Sequence, residues 1–456
     1  MSLLLRQIGP RRLLVVACSR ASSSSTGEAL VAGGPDAEAG LVPAPKRSGS
    51  QAWMKKGAGG RNSFSGIVAT VFGAGGWLGP YVGARLGKIG CQLIFPYRSD
   101  PYCVRHLKLS GDLGQTLFFP FELSDEASIR KVVKYSNVVI NMIGAFHSTP
   151  NYSIWDTNGY GAGRLAKIAR EMGVEKFIQI SALNASPNPP ECIVPGGSEF
   201  LRSKALGEEL VRDAFPEAII ARPARMYGAP GGHSGATSDQ FIAAYATYMR
   251  GWATKNFDVW NLGEDTVKMP LFGPNLADGI EKLVLDPTLT GQTIEFVGPY
   301  AYKFSELHDY MWRRRWMGNR YYQQCYQRRR GYSPYTQALL TMCDFRAEWS
   351  RRRPVYNTEI LETIECVSDR LTGAPTLTDI GVRNLKVFEY ASRSILDTYY
   401  TRMGDSEFTF GEVDQPPMPQ RCPPLYTPEA LKRKPGYTKR HVFDETTLEA
   451  PGAAFA

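Results

Sequence analysis

The sequence predicts an α/β fold: a doubly wound parallel sheet, then a smaller α-rich region and an extended tail at the C terminus. Three observations predict it. Between positions 66 and 225 short apolar runs alternate with helical stretches, as strands and helices do around a buried parallel sheet. The first run, Ile67 to Phe72, stops at a glycine. The glycines that follow stand at 73, 76 and 79, at the passage from strand to helix.

The elements follow in chain order. Residues 67–72 are mostly apolar, as a strand buried on both faces must be. A helix is expected over 76–90, with Pro80 confined to its first turn, where a missing N–H costs nothing. Further strands are expected at 92–95, 116–121, 137–143, 176–181 and 218–221, with a last one at 293–297. Helices are expected at 124–135, 156–172 and 198–215. Asp125 and Glu126 suit the positive N-terminal end of the first of these. After about 225 the alternation gives way to Gly-rich and aromatic-rich sequence, and no internal repeat is present.

The loop Gly73-Ala74-Gly75-Gly76-Trp77-Leu78-Gly79 reads G-x-x-G-x-x-G. One glycine turns the chain off the strand, one admits a pyrophosphate to the backbone amides, and one lets the helix pack closely on the sheet. The helix start adds unpaired N–H groups and a positive dipole end. This loop, Trp77 and Leu78 included, is the expected dinucleotide cradle of a Rossmann fold. The second strand ends in Pro96-Tyr97-Arg98. A site for NAD places an acid near this point to bind the ribose 2′-hydroxyl. Arginine suits the 2′-phosphate of NADP(H) instead. With Asp100 as the rival acid, NADP(H) is the cofactor expected.

Of the 456 residues 43% are hydrophobic, enough for a sizeable core. The net charge of +9 favours an acidic partner without choosing between nucleic acid, anionic lipid and an acidic neighbouring subunit. The eight cysteines form no C-x-x-C and no metal-like spacing with histidine, so free thiols in a reducing compartment and no metal site are expected. No apolar run approaches the ~18 residues that span a bilayer, which makes any membrane contact peripheral. Residues 1–27 carry Arg6, Arg11, Arg12 and Arg20, a serine run at 22–25 and no acid, the composition of a mitochondrial presequence. The apolar segment 13–18 is too short for a secretory signal. Residues 28–63, rich in Gly, Ala and Pro, read as a linker outside the fold. A folded domain is expected over 64–300, a basic, aromatic, α-rich interaction region over 301–400 and a Pro-rich extended tail over 401–456.

The interaction region contains Trp312-Arg313-Arg314-Arg315-Trp316, then Arg328-Arg329-Arg330 and Arg351-Arg352-Arg353. Arginine with interleaved aromatics suits single-stranded RNA, a protein interface, or anionic inner-membrane lipid such as cardiolipin. A plain solvated face is the bland reading. The aromatics favour subunit or lipid contact, and nucleic acid is not expected. A groove lined by Arg313, Arg328 and Trp316 would favour RNA.

Residues 66–228 resemble the atypical, extended short-chain dehydrogenase/reductase superfamily. More narrowly they resemble the 39 kDa-type NADPH-binding accessory subunit of mitochondrial respiratory complex I. The stretches that carry the likeness are 65–74, 95–98, 111–115, 136–141 and 212–220; beyond 300 only Leu377-Thr378-Asp379-Ile380-Gly381 echoes it. The resemblance implies a strand-end serine that polarises a carbonyl, a tyrosine that transfers the proton, and a lysine four residues on that holds the ribose. Ser181 and Lys204 match the first and last, and Phe200 stands at the tyrosine position. Phenylalanine transfers no proton, and the chain has no other Y-x-x-x-K. Loss of a positioned acid–base costs about 10²–10⁴-fold in rate, so no catalytic residue is expected. The resemblance also implies Glu122 and Leu123 beside the adenine, Ile143 and Gly144 along the cofactor, Pro223 near the nicotinamide, and a structural Asn158-Gly159. It implies a non-catalytic subunit on the matrix side of the inner membrane, partnered by other complex I subunits, whose bound NADP(H) supports stability or assembly. A free mitochondrial NADP-dependent reductase or isomerase and an RNA-binding Rossmann protein are the alternatives.

Overall fold

The computed structural model describes residues 55–57, 59–98, 100–228, 241–242, 245, 256–316, 326–332, 334–349, 357–398 and 416–433. The expected presequence, most of the linker, Arg351 to Arg353 and most of the tail lie outside the described residues.

Seven strands form one parallel sheet: β1 (Val68–Phe72), β2 (Gln92–Tyr97), β3 (Thr116–Pro120), β4 (Val138–Asn141), β5 (Lys176–Ile180), β6 (Ile219–Pro223) and β7 (Thr293–Phe296). Their order is β7-β6-β5-β4-β1-β2-β3. In β1 Ala69 faces Leu93 of β2 on one side and Val138 of β4 on the other. Five helices cover the sheet: α1 (Gly79–Lys88), α2 (Glu126–Val133), α3 (Gly161–Glu171), α4 (Glu199–Ala214) and α5 (Gly273–Leu285). Successive side chains of a strand point to opposite faces. Ala69 and Val71 therefore enter a core with Val82 and Leu86 of α1 and Leu276 and Ile280 of α5. Val68 and Phe72 enter a second core with Ile129 of α2, Leu165 of α3 and Val211 of α4. Burial on both faces is why these strands read as continuous apolar runs.

Strand order reverses between β1 and β4, and the crevice beyond their carboxyl ends is where an open α/β sheet receives a ligand. The glycine loop leaves β1 on one side of it, and Ile143-Gly144 leaves β4 on the other.

Three expectations needed correction. The last linker residues belong to the fold: Lys56 and Phe64 pair as a β-bridge, and Phe64 packs on the second core. The boundary at 300 follows composition rather than packing, because Leu377, Val382 and Leu385 sit in the core beneath α5 and Thr376 bridges to Glu295 of β7. Part of the basic aromatic stretch is interior. In α6 (Phe304–Arg315) Trp312 is buried and stacks on Tyr326 with centroids 5.2 Å apart. Buried Arg314 grips Asp397 at 2.8–3.1 Å, and Arg328 pairs with Asp309 at 3.1 Å. Trp316 packs on Trp312. Buried guanidinium groups need partners, and these find theirs inside the chain. Among the described residues of 311–330, Met311, Trp312, Arg314 and Arg315 are buried, whereas Arg313, Gln327, Arg329 and Arg330 face outward. Among the described residues the C-terminal region also holds α7 (Pro334–Trp349) and α8 (Phe388–Thr398).

Candidate functional site

The glycine loop is built for close approach. Gly73 has φ +79°, and a Cβ there would lie 2.9 Å from the carbonyl carbon of Met142 at the end of β4. At Gly79 a Cβ would lie 1.7 Å from the carbonyl oxygen of Ala74, so only glycine lets α1 start against the loop. Gly76 differs: its backbone is ordinary, and a Cβ would meet only the Gly73 carbonyl oxygen, at 3.2 Å. Leu78 precedes α1 and no side chain caps the helix, which leaves its positive end to a ligand in the crevice. The indole of Trp77 is packed against Tyr81, Gly228 and Gly273. Trp77 and Leu78 therefore offer backbone to a phosphate.

Arg98 is exposed at the end of β2, with its guanidinium 5.7 Å from the ring centre of Tyr152. The Tyr152 hydroxyl donates to Glu122 and lies 3.2 Å from Ser124. Arg98 and Glu122, 24 positions apart in the numbering, thus meet around one tyrosine that sequence reasoning did not single out. Asp100 is engaged elsewhere, its carboxylate accepting from the Tyr102 amide at 2.8 Å to cap the short helix Pro101–Val104. Leu123 is buried, with its carbonyl held by Arg164 at 2.7 Å.

Lys204 is buried on α4, and its Nζ donates to the carbonyls of Ile143 at 3.1 Å and Ile180 at 3.3 Å. Burial pushes its pKa down to about 8, against the pull of Glu208. A Cβ on Gly144 would come 3.1 Å from this ammonium, so glycine keeps the way to it open. Asn158 gives Nδ2 to the Ala145 carbonyl and to Ser203 and accepts from the Ala145 amide. Every polar atom of its amide is spent on holding the loop after β4, a structural role as expected.

At the other end of the crevice the Ser181 hydroxyl and the Phe200 ring are both engaged within the chain. Ser181 is buried and donates its hydroxyl to Glu208, which is held on both oxygens by Arg222 at 2.7–3.2 Å. A hydroxyl proton committed to a carboxylate cannot also polarise a carbonyl. The Pro223 carbonyl accepts from the Leu183 amide at 3.0 Å. Phe200 stacks on Phe146 with centroids 3.9 Å apart and planes 18° apart, and Arg225 covers Phe146 at 4.8 Å. The stack is clamped from the C-terminal region. Asn357 donates to the Phe146 carbonyl, while the Glu359 carboxylate accepts from Ser198 and from the amides of Glu199 and Phe200. Phe146, Glu208, Asn357 and Glu359 carry no sequence signal for this role, because only the fold brings them together.

The glycine cradle and the buried ammonium of Lys204 fit a nicotinamide dinucleotide, which would supply hydride chemistry when bound. Residues 69–268 match the family described as the NAD dependent epimerase/dehydratase family. Over 255 residues the chain is 43% identical to a mouse protein named NADH dehydrogenase (ubiquinone) 1 alpha subcomplex subunit 9, mitochondrial, covering 56% of this chain and 63% of that one. It is 39% identical to the protein of the same name from Arabidopsis thaliana, covering 57% and 60%. It is 37% identical to the NADH-ubiquinone oxidoreductase 40 kDa subunit, mitochondrial, of Neurospora crassa, covering 55% and 61%. The matched stretch spans under two thirds of the length of each of these relatives. The likeness stated from the sequence holds.

Proposed function

We propose that this chain is a non-catalytic accessory subunit of mitochondrial complex I that holds NADP(H) as a structural cofactor. The observation that carries the reading is a split within one site. The binding half is intact, in the glycine loop, Arg98 and Lys204. In the other half Phe200 lies stacked under Phe146 and Ser181 donates to Glu208. A ligand that binds only the folded chain adds RT ln(1 + [L]/Kd) to its stability, a reason to retain a nucleotide without turnover.

Assembly into a larger body has its own support. On α7 the exposed side chains Leu339, Met342, Phe345 and Trp349 recur at helical spacing, while Leu340 on another face is buried. A helix apolar on more than one face is buried on each of them in its working state. This stripe and the positive net charge suit docking on neighbouring subunits, at the matrix side of an inner membrane with anionic lipid. Among the described residues no helix is long and apolar enough to cross a membrane. The test is to purify the chain from mitochondria and identify its nucleotide and its companions. NADP(H) and complex I subunits are expected. An empty, monomeric protein would refute the reading.

A further inference from the structure

We propose that Cys192, Glu362 and Cys366 form a binding site for a thiophilic divalent cation, with Zn²⁺ as the representative ion. Cys192 lies in the segment before α4, and Glu362 and Cys366 bound the helical turn Glu362–Cys366. No sequence spacing links the first to the others, yet one ligand atom from each lies within 4.8 Å of the other two. Zinc bonds of ~2.3 Å to sulfur and ~2.0–2.2 Å to oxygen set tetrahedral ligands about 3.5 Å apart, so the cluster needs a contraction of about 1.3 Å at most.

The carboxylate is already aimed. Glu362 is fully buried; its Oε1 accepts from the Cys192 amide at 3.0 Å, and its Oε2 from the amides of Ile193 and Val194 at 2.7 and 3.2 Å. These donors fix its orientation, as partners behind a metal ligand do, while Oε1, with a single donor among these, keeps a lone pair for the ion. No ion pair balances its charge among the described residues. Both cysteines are half-buried, within reach of an ion from solvent.

On binding, two thiols lose their protons, two metal–sulfur bonds and one metal–oxygen bond form, and two protons pass to solvent; no electrons change hands. Three protein ligands leave the fourth position to water. The ion would staple the segment before α4 to the C-terminal helical turn, two stretches 170 positions apart. It would fix the wall that Glu359 holds over Phe200.

The test uses the reduced, chelator-treated full chain, with Cd²⁺ as a spectroscopic probe and Zn²⁺ as competitor. One Cd²⁺ per chain with a thiolate charge-transfer band, displaced by Zn²⁺, and a thermal midpoint raised by either ion are expected. Cys192→Ser and Cys366→Ser should each abolish the band while NADPH binding, read separately, shows the chain still folded. Glu362→Gln should weaken affinity tenfold or more, and Cys343→Ser should change nothing. Wild-type-like Cd²⁺ binding in both serine variants would overturn the proposal. So would a wild type that takes up no ion, including one whose two cysteines merely oxidise to a disulfide.

Discussion

Arg98 and Lys204 hold the two ends of the proposed dinucleotide by opposite means, one as an exposed fork and one as a buried point charge. Arg98→Asp removes charge-assisted bonds to a 2′-phosphate, each worth about 1.5–3 kcal/mol. NADPH affinity should fall tenfold or more with NADH affinity little changed, measured by titration calorimetry; equal loss for both would remove the assignment. Lys204 titrates at about 8 in the free chain. A ligand that accepts from its ammonium prefers the protonated form, so affinity is constant below that pH and weakens as pH rises through it. Lys204→Met should bind more weakly at neutral pH and show no such slope. The glycines and Arg98 were legible in the sequence because each follows closely on a strand end, whereas Phe200 and Lys204 were read from the likeness to the short-chain dehydrogenase/reductase superfamily. The engagement of Ser181 was not, since Glu208 becomes its neighbour only when α4 packs against the sheet.

At the scale of elements, the first βα unit separates binding from folding. At Gly76 a Cβ would press on the Gly73 carbonyl oxygen at 3.2 Å, a tight contact that a small shift relieves, whereas at Gly79 it would collide with the Ala74 carbonyl oxygen at 1.7 Å. Gly76→Asp should leave the thermal midpoint of the nucleotide-free chain nearly unchanged and abolish nucleotide binding, because its carboxylate enters the phosphate cradle. Gly79→Ala should lose about 3 kcal/mol, the upper end of the range for overpacking, because backbone rather than a movable side chain stands in the way. Denaturant unfolding of the two variants checks both, and a stable Gly79→Ala would contradict the packing account. The six strands of the alternating region were legible within a few residues, since all but the edge strand β3 are buried on both faces and mostly apolar. The helix α5 was missed although Leu276, Ile280 and Leu283 mark its buried face, because it opens with Gly273-Pro274 in a glycine-rich stretch. The engagement of Arg314 and Arg328 was not legible, because Asp397 and Asp309 come beside them only in the fold.

For the whole molecule, a buried, neutral imidazole in the C-terminal core contributes to the acid limit. His308 lies among Phe304, Tyr245 and Phe257, and burial pushes its pKa down to about 3 from an ordinary 6.5. The unfolded chain takes up a proton there that the folded one refuses, so stability falls as pH drops from about 6.5 towards 3. Tyr326 gives its hydroxyl proton to Asp309, which makes His308 Nδ1 the donor to the Tyr326 oxygen. His308→Gln should lower stability at neutral pH and flatten the acid limb, read by unfolding at a series of pH values; an unchanged slope would contradict the assignment. The central claim, that this chain binds a nicotinamide cofactor without using it, is met most directly by single-turnover measurement. The purified chain loaded with NADPH is mixed with a broad panel of carbonyl substrates while the reduced-nicotinamide absorbance is followed. The account predicts stoichiometric bound NADPH whose absorbance decays no faster than that of free NADPH; rapid, substrate-dependent oxidation of the bound cofactor would contradict it.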